Sequence, residues 1–134
     1  MIAAGQVTDH VGFFGDLMPT LAELSGAEPP AKTDGISLVP LPTGETEKQK
    51  SHKVLYWEFH ERNPSQAVLL DGRWKAIRDV RADKVVLFDV KNDIAEQTDV
   101  AEQHPELVKR ARDSMARENE PNEHWDIHQI PAKK

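Results

Sequence analysis

The stretch Leu55-Tyr56-Trp57-Glu58-Phe59-His60-Glu61, followed after a short gap by Gln66-Ala67-Val68-Leu69-Leu70-Asp71-Gly72-Arg73-Trp74-Lys75, decides the fold of this chain. Two runs rich in aromatic and β-branched side chains flank a polar gap, the composition of strands bounded by a loop. The second run turns at Asp71-Gly72, a pair suited to a two-residue hairpin because both central positions need positive φ. Working outward, the spacing predicts an antiparallel meander of four strands over residues 53–90. These are Lys53 to Phe59, Gln66 to Leu70, Arg73 to Asp79 and Lys84 to Val90, with Arg81-Ala82-Asp83 as the last turn. A sheet this apolar needs a cover on one face. Residues 91–103 are polar. His104-Pro105 opens a helix whose Leu107, Val108, Ala111 and Met115 form a stripe suited to that cover. The fold class is therefore α+β: a four-stranded antiparallel sheet with a packed C-terminal helix.

Upstream, residues 9–26 read as a helix, with Phe14, Leu17, Met18, Leu21 and Leu24 on one apolar stripe. Pro19 is tolerated in a first turn, so the firm part starts near Asp16, and Gly26 ends it. Residues 27–52 are a connection broken by Pro29-Pro30, Asp34-Gly35, Pro40, Pro42 and Gly44, with one helical turn expected over Ser37 to Leu41 and a charged surface loop from Glu45 to Lys53. The organisation read here is 1–52, 53–118 and a polar tail, 119–134, that wraps the surface.

With 134 residues, the chain is long enough to bury a core. Its net charge of -6 argues against a general nucleic-acid surface, which needs clustered Lys and Arg. No apolar run approaches the ~20 residues of a membrane span. There is no cysteine, so thiolate metal sites and disulfides are out. Met1-Ile2-Ala3-Ala4-Gly5 lacks the basic start and apolar stretch of a signal peptide.

Chemistry-bearing side chains concentrate where the first strand ends: Glu58, His60, Glu61, Arg62, Asn63 and Gln66. Loops on a rigid sheet often carry binding groups. Histidine exchanges protons and hydrogen bonds near neutrality, and arginine grips anions with two bonds. Lys75, inside an apolar strand, is expected to reach the sheet edge or pair with an acid, for which Glu58 on a neighbouring strand is a possible partner. His124 and His128 have the one-face spacing of a zinc pair, but they lack the His-Glu-x-x-His pattern and read as a solvated tail. No phosphate loop, Gly-x-Ser-x-Gly elbow or acidic metal cage is present in the sequence.

Several segments, in order, resemble the C-terminal region of the type I sulfatases of the alkaline-phosphatase-like superfamily. Asp16-Leu17-Met18-Pro19-Thr20-Leu21 is similar to that family's Asp-x-x-Pro-Thr-Leu helix, and Asp34-Gly35-Ile36-Ser37-Leu38 to the Asp-Gly-x-Ser-Leu segment after it. Leu55-Tyr56-Trp57-Glu58, Gly72-Arg73-Trp74-Lys75 and Val86-Leu87-Phe88-Asp89-Val90 resemble strands of the small sheet. Asn92-Asp93 and Glu96 resemble the turn that follows, and His104-Pro105-Glu106 the start of the last helix. Leu70 stands where many related sequences have Arg.

The resemblance implies that residues 1–52 end a large α/β domain and that 53–118 form the small C-terminal subdomain. It implies hydrolysis of sulfate esters, sulfated carbohydrate being the expected substrate, by a formylglycine and a calcium or magnesium ion. Neither is expected in this chain, which has no Cys/Ser-x-Pro/Ala-x-Arg motif, so no catalytic residue is assigned and the chain is expected to be inactive alone. The expected substrate contacts, on the pocket rim, are Trp57, Glu58, His60 and Arg62. By resemblance the full-length parent is periplasmic or extracellular. The alternatives are a non-enzymatic sugar-binding or accessory module, and the tail of a related phosphate mono- or diester hydrolase.

Overall fold

The computed structural model describes residues 2, 4–124, 126 and 127. They fall into two compact units, Met1–His52 and Lys53–Lys134.

The second unit contains the expected meander. Strands β1 (Val54–Phe59), β2 (Ser65–Leu70), β3 (Trp74–Asp79) and β4 (Lys84–Asp89) lie in the order β1-β2-β3-β4, all antiparallel. Side chains alternate between faces. One face carries Val54, Tyr56, Val68, Leu70, Trp74, Ala76, Val85 and Leu87. Helix α3 (Pro105–Glu118) lays Ala111 and Met115 on it, flanked by Leu107 and Val108, so the expected helical cover is present. Val68, Leu70, Ala76, Leu87 and Ala111 are fully buried. Burial of each large side chain contributes about 1.5–3 kcal/mol, which makes this layer the main source of the unit's stability. Ile127, beyond α3, is also buried.

The hairpin at Asp71-Gly72 takes left-handed φ at both residues, 50° and 65°. It differs from the expected two-residue turn, because Leu70 pairs with Trp74 and Arg73 is left outside the ladder. The reason is local. The Arg73 carbonyl accepts the Val90 N–H at 3.0 Å, its guanidinium grips Asp89 at 2.7 and 3.0 Å, and it lies 4.7 Å over the Trp74 ring. In the β3–β4 turn, Asp79 Oδ1 accepts the Arg81 and Ala82 N–H groups, each at 2.9 Å. Beyond β4, Val100 donates to the Leu87 carbonyl and Leu87 donates to Asp99, which occupies part of that sheet edge.

The first unit is organised differently. The helix is shorter than the 9–26 expected: a 3-10 turn over Phe14–Asp16 leads into α1 (Leu17–Ser25), closed by Gly26 at φ 71°. Its start is set by Asp16, whose carboxylate turns back to accept the Phe13 N–H at 3.0 Å while Phe13 stays extended. Asp16 is fully buried and also accepts from Ile36 N–H (2.8 Å) and His52 Nε2 (2.9 Å). Thr20 donates to the Asp16 carbonyl and accepts from Leu38 N–H, so the 36–38 segment is tied to the helix at two points. Gly35 fits because a Cβ there would sit 2.1 Å from the Gly15 carbonyl oxygen. The next helical turn, α2 (Pro40–Thr43), lies later than Ser37 to Leu41, since Leu38 is held by Thr20 and Pro40 is preset for a first helical position. Phe14, Leu17, Met18, Leu21 and Leu24 remain exposed.

Candidate functional site

The β1–β2 end of the sheet gathers most of the expected contact residues. Tyr56 and Glu58, two apart, share the α3 face, and Glu58 pairs in register with Gln66. The loop of residues 60–64 then carries His60 and Arg62 outward. Glu58 Oε1 accepts from the Tyr56 hydroxyl and from the Asn119 side-chain amide just past α3, and its Oε2 lies 3.0 Å from His60 Nε2. Behind them, Gln66 donates to the Tyr56 oxygen at 2.7 Å and accepts from Arg78 at 2.9 Å. Arg78 in turn meets Asp83 at 2.8 Å, and Asp83 meets Arg112 of α3 at 2.8 Å.

These contacts set the charge state. Burial would push the Glu58 carboxyl up, but the hydrogen bonds from Tyr56, Asn119 and His60 outweigh it and hold the group below its ordinary value. Burial and the adjacent carboxylate raise Tyr56 well above the usual phenol. Glu58 is thus an anion enclosed by donors, and Tyr56 a permanent donor. The arrangement can orient and hydrogen-bond a polar ligand. It places no activated nucleophile beside a base.

The four expected contacts divide. Glu58 and His60 touch. Trp57 is on the opposite face, half-exposed beside the exposed Phe59, because adjacent strand residues point apart. Arg62 sits on the loop with φ 50°, its carbonyl accepting from Arg81 at 2.8 Å. Lys75 does not pair with Glu58: it points to the other face and meets Glu96 at 2.5 Å. The register explains this correction, since Lys75 is opposite Leu69 while Glu58 is opposite Gln66.

Sequence reasoning named Gln66 in the cluster but missed Tyr56, Arg78 and Asn119 as members. Tyr56 and Arg78 had a signal, as polar positions on the face of Gln66 in the two strands that flank it. Asn119, 61 residues from Glu58, had none. The paired His124 and His128 fall outside the described residues at His128. His124 is exposed, its Nε2 3.2 Å from Glu123.

Among the described residues no group of three or more His, Cys, Asp or Glu side chains could hold a metal ion. The calcium or magnesium ion implied by resemblance does not fit these residues, and without cysteine or the required serine motif neither does a formylglycine. No helix among the described residues is long and apolar enough to cross a membrane.

The meander under one helix shares its fold with solved sulfatases, and comparison with known proteins shows the family. The family model described as N-sulphoglucosamine sulphohydrolase, C-terminal, matches residues 1–121, and the chain belongs to that family. It is 36% identical over 118 residues to arylsulfatase K of Xenopus laevis, covering 81% of this chain and 22% of that protein. It is 35% identical over 91 residues to the Δ4,5-hexuronate-2-O-sulfatase of Bacteroides thetaiotaomicron, covering 64% and 18%. The solved structure of a 2-O GAG sulfatase superimposes with a TM-score of 0.67 at 30% identity, over 76% of this chain and 23% of that one. The chain therefore spans about a fifth of the length of the curated relatives it matches.

Proposed function

We propose that this chain is the C-terminal portion of a sulfatase that hydrolyses sulfate esters of carbohydrates, that it supplies the rim of the substrate pocket, and that it is inactive alone. One observation carries the reading: residues 1–121 match the C-terminal part of the family, while the 134 residues contain no Cys/Ser-x-Pro/Ala-x-Arg nucleophile motif. The relatives named for hexuronate and 2-O GAG substrates support sulfated carbohydrate as the substrate class. On the rim, His60 and Arg62 meet the ligand from the β1–β2 loop. Glu58 holds His60 in place, and Trp57 offers an apolar surface on the other side of the strand.

The test has two arms. The chain alone, given calcium and either an aryl sulfate or a sulfated disaccharide, releases no sulfate above the blank. Turnover would overturn the reading. In a hybrid, this chain replaces the matching region of the 2-O GAG sulfatase. There, Arg62→Ala raises KM for a sulfated disaccharide by about tenfold, the worth of one charge-assisted hydrogen bond, and leaves a small aryl sulfate unaffected. Equal effects on both substrates would remove the rim assignment.

A further inference from the structure

The β1–β2 loop is held from outside itself. The Asp71-Gly72 hairpin closes through its own backbone, with the Arg73 N–H donating to the Leu70 carbonyl at 3.0 Å. The β3–β4 turn closes through Asp79, whose Oδ1 accepts the Arg81 and Ala82 N–H groups. No backbone–backbone hydrogen bond closes within residues 60–64. Residues 62–64 are tied instead to the β3–β4 side of the sheet. The Pro64 carbonyl accepts the Val80 N–H at 3.0 Å, the Asn63 side-chain amide donates to Asp79 Oδ2 at 3.0 Å, and the Arg62 carbonyl accepts from the Arg81 guanidinium at 2.8 Å. Asp79 thus serves both segments: one oxygen seats Arg81 and the other holds Asn63.

Arg62 is the residue for which this matters. Its φ of 50° lies in the left-handed region, where a Cβ crowds the backbone and residues other than Gly, Asn and Asp are uncommon. Such a conformation persists where the surroundings over-determine it. The group that grips the Arg62 carbonyl is Arg81, and the residue after it is held by Asp79. We propose that Arg81, seated on Asp79, is a positioning residue that holds Arg62 in its left-handed conformation and so sets the direction of the Arg62 side chain at the substrate rim. The inference deepens the proposed rim and rests on that reading for its functional consequence alone. Arg81 acts through the Arg62 backbone and not on the ligand. A return of Arg62 to negative φ would swing its Cα–Cβ bond, and the guanidinium, at the end of a long exposed side chain, would move furthest. The β3–β4 turn therefore sets the geometry of a loop that belongs to the other hairpin.

The experiment has two readouts. The first is NMR of the intact chain with no substrate present, so it and the rim reading fail separately. At positive φ a residue's own amide and Hα protons come closest, and Arg62 is expected to show a strong intraresidue amide–Hα NOE. Arg81→Met is expected to weaken it toward that of an ordinary loop residue. Arg81→Lys keeps a donor toward the Arg62 carbonyl and is expected to retain it, and Arg110→Met, an arginine paired elsewhere, to leave it unchanged. The second readout is the kinetics of the hybrid sulfatase carrying this chain. Arg81→Met is expected to raise KM for a sulfated disaccharide several-fold, with kcat and the rate on a small aryl sulfate unchanged, and to add nothing when Arg62→Ala is already present. Arg81→Lys is expected to restore KM. An Arg62 NOE equally strong in the parent chain and in Arg81→Met would overturn the proposal, and so would Arg81→Met and Arg62→Ala effects on KM that multiply. Arg62→Ala without effect on KM would remove the rim reading and leave the NOE result standing.

Discussion

The two units are held together by different kinds of burial. In the sheet unit the buried layer is mainly aliphatic, with Val68, Leu70, Ala76 and Leu87 sealed by Ala111 and Met115, and the polar Gln66 and Ser114 buried as well. In the unit before it, a carboxylate, Asp16, is fully buried beside Pro19, while the large apolar residues of α1 are exposed. The first arrangement draws its stability from area removed from water, which is non-directional. The second depends on three donors converging on one anion, so it is specified by geometry and lost when one partner is removed. The contrast shows why the aspartate of the Asp-x-x-Pro-Thr segment is a structural residue: it shapes the start of α1 and anchors residues that lie 20 and 36 positions away.

The contrast can be broken most forcefully in the sheet. Leu87→Ala leaves a cavity in a fully buried layer and is expected to lower stability by about 2–5 kcal/mol in chemical denaturation of the chain. Asp16→Ala strands the Phe13 and Ile36 amides and His52, and because these part-buried groups regain water the loss is expected at about 1–3 kcal/mol. Hydrogen exchange should show the loss at the Ile36 and Leu38 amides, with the Leu87 amide unchanged. A loss shared equally by both units would mean that they do not have separate sources of stability.

Acid offers a sharper comparison, because Asp16 and Glu58 are both held below their ordinary values. For Asp16 burial pushes upward, and the Ile36 and Phe13 amides with His52 more than offset it. A carboxyl depressed in the folded chain stabilises above its unfolded value and loses that contribution as pH falls through the folded one. Exchange protection around both residues should therefore persist at neutrality and fall below about pH 4. In Asp16→Asn, the acid step at Ile36 should disappear while the step near Glu58 remains. The smallest effect belongs to the surface pair Arg110–Asp71, 2.6 Å apart and half-exposed on both sides. Arg110→Ala should change stability by less than about 1 kcal/mol in the same denaturation assay.

Much of this was legible in the amino-acid order. Period-two alternation and turn residues located all four strands, and the Leu107, Val108, Ala111 and Met115 stripe located the covering helix, because those signals are local. The misses came from contacts distant in sequence. Arg73 leaves the hairpin ladder for Asp89 and Val90, so the Asp-Gly turn gains a residue. Lys75 meets Glu96 because strand parity turns it away from Glu58. Residues 9–13 read as helix until Asp16 turned back to cap Phe13. At the candidate site, Glu58 and His60 stood out as polar residues closing an apolar strand. The face that separates Trp57 from them, and the donors that enclose Glu58, depend on register and on Asn119 from the far end of α3.

The proposed rim chooses substrate and takes no part in bond cleavage. The measurement that tests this most directly is steady-state kinetics of the hybrid sulfatase carrying this chain, with His60 intact or changed to alanine. The expected result is a raised KM for a sulfated disaccharide, with kcat and the rate on a small aryl sulfate unchanged. A collapse of kcat on both substrates would place His60 in the chemical step and contradict the account.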